Sequence, residues 1–205
     1  MKLRLSPRVA LVVIAALFIL PLVLAWLMYT GTIEFQPGTT RNLGQLVQPP
    51  RPVSWQGVQV DGATEPAPAE VFAEHWLVLH AVPNPCADAC LRDIAGLRQV
   101  HLASGRQQSR IRLALLQDLT DDDSARNLQA IYAAFSVLEN PDGTLWHILQ
   151  SVVQEAQPGA PVRGSTYLID PLGNIMMLYA AGYDPNDLKN DLKRLLTWSK
   201  LDEQS

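Results

Sequence analysis

From Val9 to Tyr29 the chain reads VALVVIAALFILPLVLAWLMY, a run with no charged residue. Roughly 20 apolar residues at 1.5 Å each span a hydrocarbon core of about 30 Å, so this run is long enough to cross a bilayer as one helix. Pro21 lies inside it; a membrane helix tolerates an internal proline, with at most a kink. Trp26 and Tyr29 stand where an aromatic belt meets the far interface, and Lys2, Arg4 and Arg8 precede the run, which sets residues 1–8 in the cytoplasm and the rest of the chain outside. A cleaved signal peptide is the alternative, but its apolar region is usually about 7 to 15 residues and ends at small residues. The stretch Leu24-Ala25-Trp26-Leu27-Met28 offers no such site, so the reading is a retained anchor over residues 9–29.

What remains suffices for one domain of ordinary size. The net charge is −4 although three positive charges precede the anchor, so the exported part is acidic. That balance argues against nucleic acid as a partner. The stretch from Thr30 to Glu70 is rich in Pro and Gly, a composition that excludes long helices and predicts a tether, over residues 30–52, followed by short edge strands. The domain is expected over residues 53–200, followed by a tail at 201–205.

Within the domain, Val53-Ser54-Trp55 and Val58-Gln59-Val60 alternate and end at Asp61-Gly62 like a short strand or hairpin, and Trp76-Leu77-Val78-Leu79 reads as a buried strand. Leu91, Ile94, Leu97 and Val100 repeat at three-residue steps and predict a helix up to Gly105. Ile111, Leu113 and Leu115 alternate as a second core strand. Asp121, Asp122 and Asp123 open a predicted helix with Leu128, Ile131, Tyr132 and Phe135 on one side, the acids offsetting its dipole. Trp146, Leu149, Val153 and Ala156 mark another helix. Thr166–Asp170 and Ile175–Ala180 form a predicted hairpin, and Asp184-Pro185 starts a last helix buried through Leu188, Leu192, Leu195 and Leu196. The order of elements is strand, helix, strand, helix, helix, strand, strand, helix. The fold class is therefore α/β, a mixed central sheet flanked by helices after an N-terminal transmembrane helix, in the element order of a thioredoxin-like domain with an extra helix.

The chain has two cysteines, Cys86 and Cys90, and both fall where the first core strand gives way to its helix. The positive end of a helix lowers a thiol pKa, and thiolate is the form that attacks disulfides and binds soft metals. In a regular helix, residues four apart have Cβ atoms about 5 to 6 Å from each other, whereas a disulfide needs about 3.5 to 4.5 Å. Cys86 is therefore expected off the helix, after Asn84-Pro85. A purely structural disulfide is the plain alternative, common in exported domains, but so short a loop gains little from closure.

The segments HWLVLHAVPNPCADACLRDIAGLRQV and STYLIDPLGNIMMLYAAG resemble the strand, C-x-x-x-C loop, helix and late hairpin of the Sco proteins. NLGQLVQPPRPV is similar to the opening of a Sco-like subgroup associated with cytochrome oxidase assembly. The resemblance covers about residues 42–200. It implies a membrane-anchored thioredoxin-like domain on the periplasmic side of a bacterial inner membrane. It also implies help in building the copper A centre of cytochrome c oxidase, with an oxidase subunit or another assembly factor as partner. In that role Cys86 is the exposed nucleophile or first Cu(I) ligand, and Cys90 the resolving thiol or second ligand.

The family's copper-ligand histidine, from the loop before the late strand, is missing, since that loop reads Pro161-Val162-Arg163-Gly164-Ser165. Of His75, His80, His101 and His147, His80 lies nearest the cysteine loop and is the one candidate third metal ligand. Serine also stands where thioredoxins at large carry a cis-proline. A general membrane-tethered thiol-disulfide oxidoreductase that needs no metal, and an interaction domain with a permanent disulfide, remain as alternatives.

Overall fold

The computed structural model describes residues 6–30, 42–61, 63, 65, 67–117 and 132–198. The chain divides into two compact units, residues 1–41 and 42–205. In the first, helix α1 (Pro7–Tyr29) begins at Ser6, whose Oγ accepts the Val9 N–H at 3.4 Å, and runs on through Pro21. Its span Pro7–Met28 is long and apolar enough to cross a membrane.

The second unit is built on a seven-stranded sheet in the order β1-β7-β6-β3-β4-β5-β2. Its strands are β1 (Gln45–Pro52), β2 (Gln59–Val60), β3 (Trp76–Ala81), β4 (Ile111–Gln117), β5 (Phe135–Glu139), β6 (Thr166–Ile169) and β7 (Asn174–Tyr179). The pairs β3–β4 and β4–β5 are parallel, and the others antiparallel. Helices α2 (Pro68–Phe72), α3 (Asp88–Ala103), α4 (Thr144–Ala156) and α5 (Pro185–Trp198) complete it, with a 3-10 turn at Gly105–Arg110.

Strand β3 is buried along its whole length, as expected of a central strand covered on both faces. Side chains alternate across a strand, so Trp76, Val78 and Val82 join one core cluster with Leu97 of α3 and Leu188 and Leu192 of α5. Leu77, Leu79 and Ala81 join the other, with Leu145, Leu149 and Val153 of α4. Truncating a fully buried leucine such as Leu97 in such a core costs about 2 to 5 kcal/mol. Gly96 in mid-α3, normally unfavourable in a helix, has a packing reason: a Cβ there would lie 2.5 Å from Pro185 Cγ, so the missing side chain lets α3 meet the start of α5. Asp184 caps α5 as expected, its Oδ1 accepting the Asn186 N–H at 2.9 Å.

Three expectations are revised. Phe135 opens strand β5 and does not close a helix, because Phe135 and Val137 enter the α3 side of the core while Leu138 enters the other. A buried parallel strand and a buried helix segment have the same apolar appearance over so short a run. The tether does not reach residue 52, since Gln45–Pro52 forms edge strand β1 against β7 and the compact unit begins at Asn42. Pro49, Pro50 and Pro52 are compatible with a strand because it lies at the edge, where a missing donor breaks no interior ladder. Leu91, expected in the buried stripe of α3, is 44% exposed. The helix expected from Asp121 lies outside the described residues.

Candidate functional site

Strand β3 delivers the chain to the carboxyl edge of the sheet, and Pro83-Asn84-Pro85 turns it toward α3. Ala87 is the helix N-cap in an extended conformation, which leaves Cys86 in the loop and Cys90 as the third residue of α3. With one cysteine off the helix, the Cα atoms stand 5.3 Å apart and the two sulfurs are joined in a disulfide. That spacing lies inside the usual range of about 4.4 to 6.8 Å.

The two sulfurs are unlike in access. Cys86 is half-buried, whereas Cys90 is 3% exposed and belongs to the α3-side core. Ala87 offers no side-chain hydrogen bond to the helix start. The unsatisfied N–H groups of the first turn therefore favour negative charge beside the cysteines, an effect that Asp88 in the same turn partly offsets.

Behind the pair, His80 is 0% exposed on β3. It alternates with Val78 and Val82 and so faces the same side of the sheet as Cys90. Its Nδ1 lies 2.9 Å from Thr166 Oγ1 on the neighbouring strand β6. Its Nε2 is buried without a hydrogen-bond partner. Burial pushes the His80 imidazole down to about 4, so the ring is neutral at ordinary pH. It also raises the Tyr183 phenol above its usual range.

The loop before β6 runs beside the end of β3, with the Ala81 N–H donating to Ser165 O at 3.0 Å and the Gly164 N–H to Ala81 O at 2.6 Å. Ser165 occupies the last position of that loop and donates to Pro161 O at 2.6 Å. The cis peptide bonds among the described residues are Gln48–Pro49 and Asn84–Pro85. Arg163 places its guanidinium over the Trp146 ring, 4.4 Å from its centre, and Trp146 packs on the α4 side of the sheet. The arginine is thus engaged on the face opposite the cysteines.

The remaining histidines lie elsewhere. His75 precedes β3, His101 is in the last turn of α3 with Nδ1 2.7 Å from Tyr132 Oη, and His147 is exposed on α4. Among the described residues no three of His, Cys, Asp or Glu converge as a metal-binding group, so His80 and the disulfide do not form a three-ligand set. Two polar residues that sequence reasoning passed over close the carboxyl ends of β4 and β5, where Gln117 Nε2 donates to Glu139 Oε1 at 2.8 Å. Their signal is a polar residue ending an otherwise apolar strand.

A family model described as "Transmembrane-like, thioredoxin-like, C-terminal domain" matches residues 76–199. Among solved structures the chain is similar to the apo Sco1 protein of Thermus thermophilus, at 15% identity and a TM-score of 0.54, over 77% of this chain and 99% of that one. Yeast Sco1 with copper bound gives 13% identity and a TM-score of 0.51, over 82% and 100%. Arabidopsis thaliana ScoI with copper bound gives 12% and 0.53, over 75% and 99%. No curated protein matches the sequence. The Sco resemblance therefore holds at the level of the fold, at low sequence identity.

Proposed function

We propose, for a chain that belongs to the transmembrane-like, thioredoxin-like C-terminal domain family, that Cys86 and Cys90 form a working dithiol which exchanges disulfides with a client or carries Cu(I) to it. The observation that carries this reading is the asymmetry of the pair at a helix N-terminus, with Cys86 accessible and Cys90 enclosed. In exchange, the Cys86 thiolate attacks one sulfur of a client disulfide, and the client's other sulfur leaves as a thiolate that takes up a proton. The Cys90 thiol then gives up its proton and attacks Cys86, which restores the disulfide and releases the client's second sulfur as a thiol. As copper carrier, the reduced pair offers two soft thiolates to Cu(I), which is cargo in that role.

The placement follows from the same reading. The anchor holds the domain at a bacterial inner membrane, with residues 1–8 in the cytoplasm and the dithiol in the periplasm, as the basic residues before the apolar run favour. The Sco-like segments point to the copper A subunit of cytochrome c oxidase, or to another assembly factor, as the partner.

Titrating the reduced full chain in detergent with Cu(I) against a competing chelator tests the copper arm. One ion per chain is expected, lost in Cys86→Ser and in Cys90→Ser. In cells, Cys86→Ser abolishes oxidase assembly on this account, and unchanged assembly contradicts it. A metal-free oxidoreductase acting on other exported clients is the second reading, favoured by the lack of histidine in the 161–165 loop. A reversible dithiol couple with no copper uptake would select it.

A further inference from the structure

We infer that His80 is a positioning residue for the dithiol, holding the Cys90 sulfur through Nε2 when the pair is reduced and losing that contact when it is oxidised. The inference rests on the reading of Cys86 and Cys90 as a working pair.

Three observations lead to it. His80 lies on β3 six residues before Cys86 and faces the side of the sheet that holds Cys90. Its ring is fixed by Thr166 through Nδ1 at 2.9 Å, so Nε2 has a defined direction. In this oxidised chain Nε2 has no partner although the residue is 0% exposed. A buried polar atom without a hydrogen bond is unfavourable, and such atoms are uncommon in folded proteins. A sulfur engaged in a disulfide has no S–H to donate and accepts weakly. Reduction by a thiol such as glutathione breaks the S–S bond, transfers two electrons and two protons to the pair, and converts two thiols of the reductant into one disulfide. The Cys90 sulfur then carries a proton and is both donor and acceptor, so it can satisfy Nε2 in either imidazole tautomer.

His80 is satisfied in the reduced state and unsatisfied in the oxidised one, so it favours the dithiol and makes the pair a stronger oxidant. Replacing it by phenylalanine removes the orphan from the disulfide form and the hydrogen bond from the dithiol form, and both changes favour the disulfide.

The test equilibrates the full chain in detergent with glutathione buffers at pH 7. Wild type is expected to be reversible, and His80→Phe to shift the equilibrium constant about tenfold toward the disulfide, equal to roughly 30 mV for a two-electron couple. His80→Gln, which retains a side-chain hydrogen-bonding group, recovers part of the shift. An equal constant for wild type and His80→Phe overturns the role of His80 alone, while a wild type with no reversible couple overturns the dithiol reading itself. Because His80→Phe places its effect in the core, a second measurement uses no substitution. In histidine-labelled wild type, the 15N resonance of His80 Nε2 moves on reduction if the contact forms. A resonance unchanged between the two redox states overturns the inference.

Discussion

The Asp191 carboxylate on α5 accepts the backbone N–H of Gly44 at 2.9 Å, joining the first residues of the domain to its last helix. The same oxygen accepts the Leu43 N–H at 2.9 Å and the Tyr179 hydroxyl at 3.0 Å, and Asp191 is 1% exposed. Gly44 is needed for this approach, since a Cβ there would lie 2.6 Å from the Tyr179 ring.

Asp191→Ala strands three donors in a buried site, so it is expected to destabilise the domain by about 3 kcal/mol or more in urea unfolding. Asp191→Asn keeps an acceptor and loses less. Gly44→Ala forces the tyrosine ring to move and is expected to cost about 1 to 3 kcal/mol. Wild-type stability in all three variants would show that the clamp is not needed.

His80 makes stability depend on pH in a defined direction. Its folded pKa, about 4, lies below the ordinary value near 6.5, so between these values the unfolded chain binds a proton that the folded chain does not. Stability is therefore full above pH 6.5 and falls by about 3 kcal/mol as pH drops toward 4. His101, also lowered by burial, adds to this slope, whereas Asp93, raised by burial, opposes it near the carboxylate range. Urea midpoints between pH 7 and pH 4.5 should fall in wild type and fall less in His80→Phe.

The difference in access between the two sulfurs predicts an order of alkylation. In the reduced protein, a maleimide is expected to modify Cys86 well before Cys90, which sits in the core at 3% exposure. Cys90→Ser should accumulate mixed disulfides with a thiol reagent, because no second sulfur resolves them. Equal labelling of both cysteines in the folded protein would remove the proposed division of labour.

Periodicity made most of this fold legible before any coordinates. Leu188, Leu192 and Leu196 on α5, and the alternation Ile111, Leu113, Leu115 on β4, each carry a pattern that has one geometric solution. Phe135–Glu139 did not, because Phe-Ser-Val-Leu-Glu shows neither sustained alternation nor an unbroken apolar run, and Phe135 also fits a helical spacing three residues after Tyr132. The strand character of Gln45–Pro52 was hidden by its prolines, which are harmless only at a sheet edge, a fact set by topology. At the site, the need for Cys86 to leave the helix followed from the reach of a disulfide alone. The burial of His80 and its bond to Thr166, 86 residues away, depend on strand pairing that local sequence does not encode.

The direct measurement is the reduction potential of Cys86–Cys90 in the full chain, read by equilibration with thiol buffers of known poise. A working dithiol predicts a reversible couple above about −300 mV, with every chain cycling between disulfide and dithiol. A bond that stays closed until below about −300 mV, as structural disulfides do, would contradict the account.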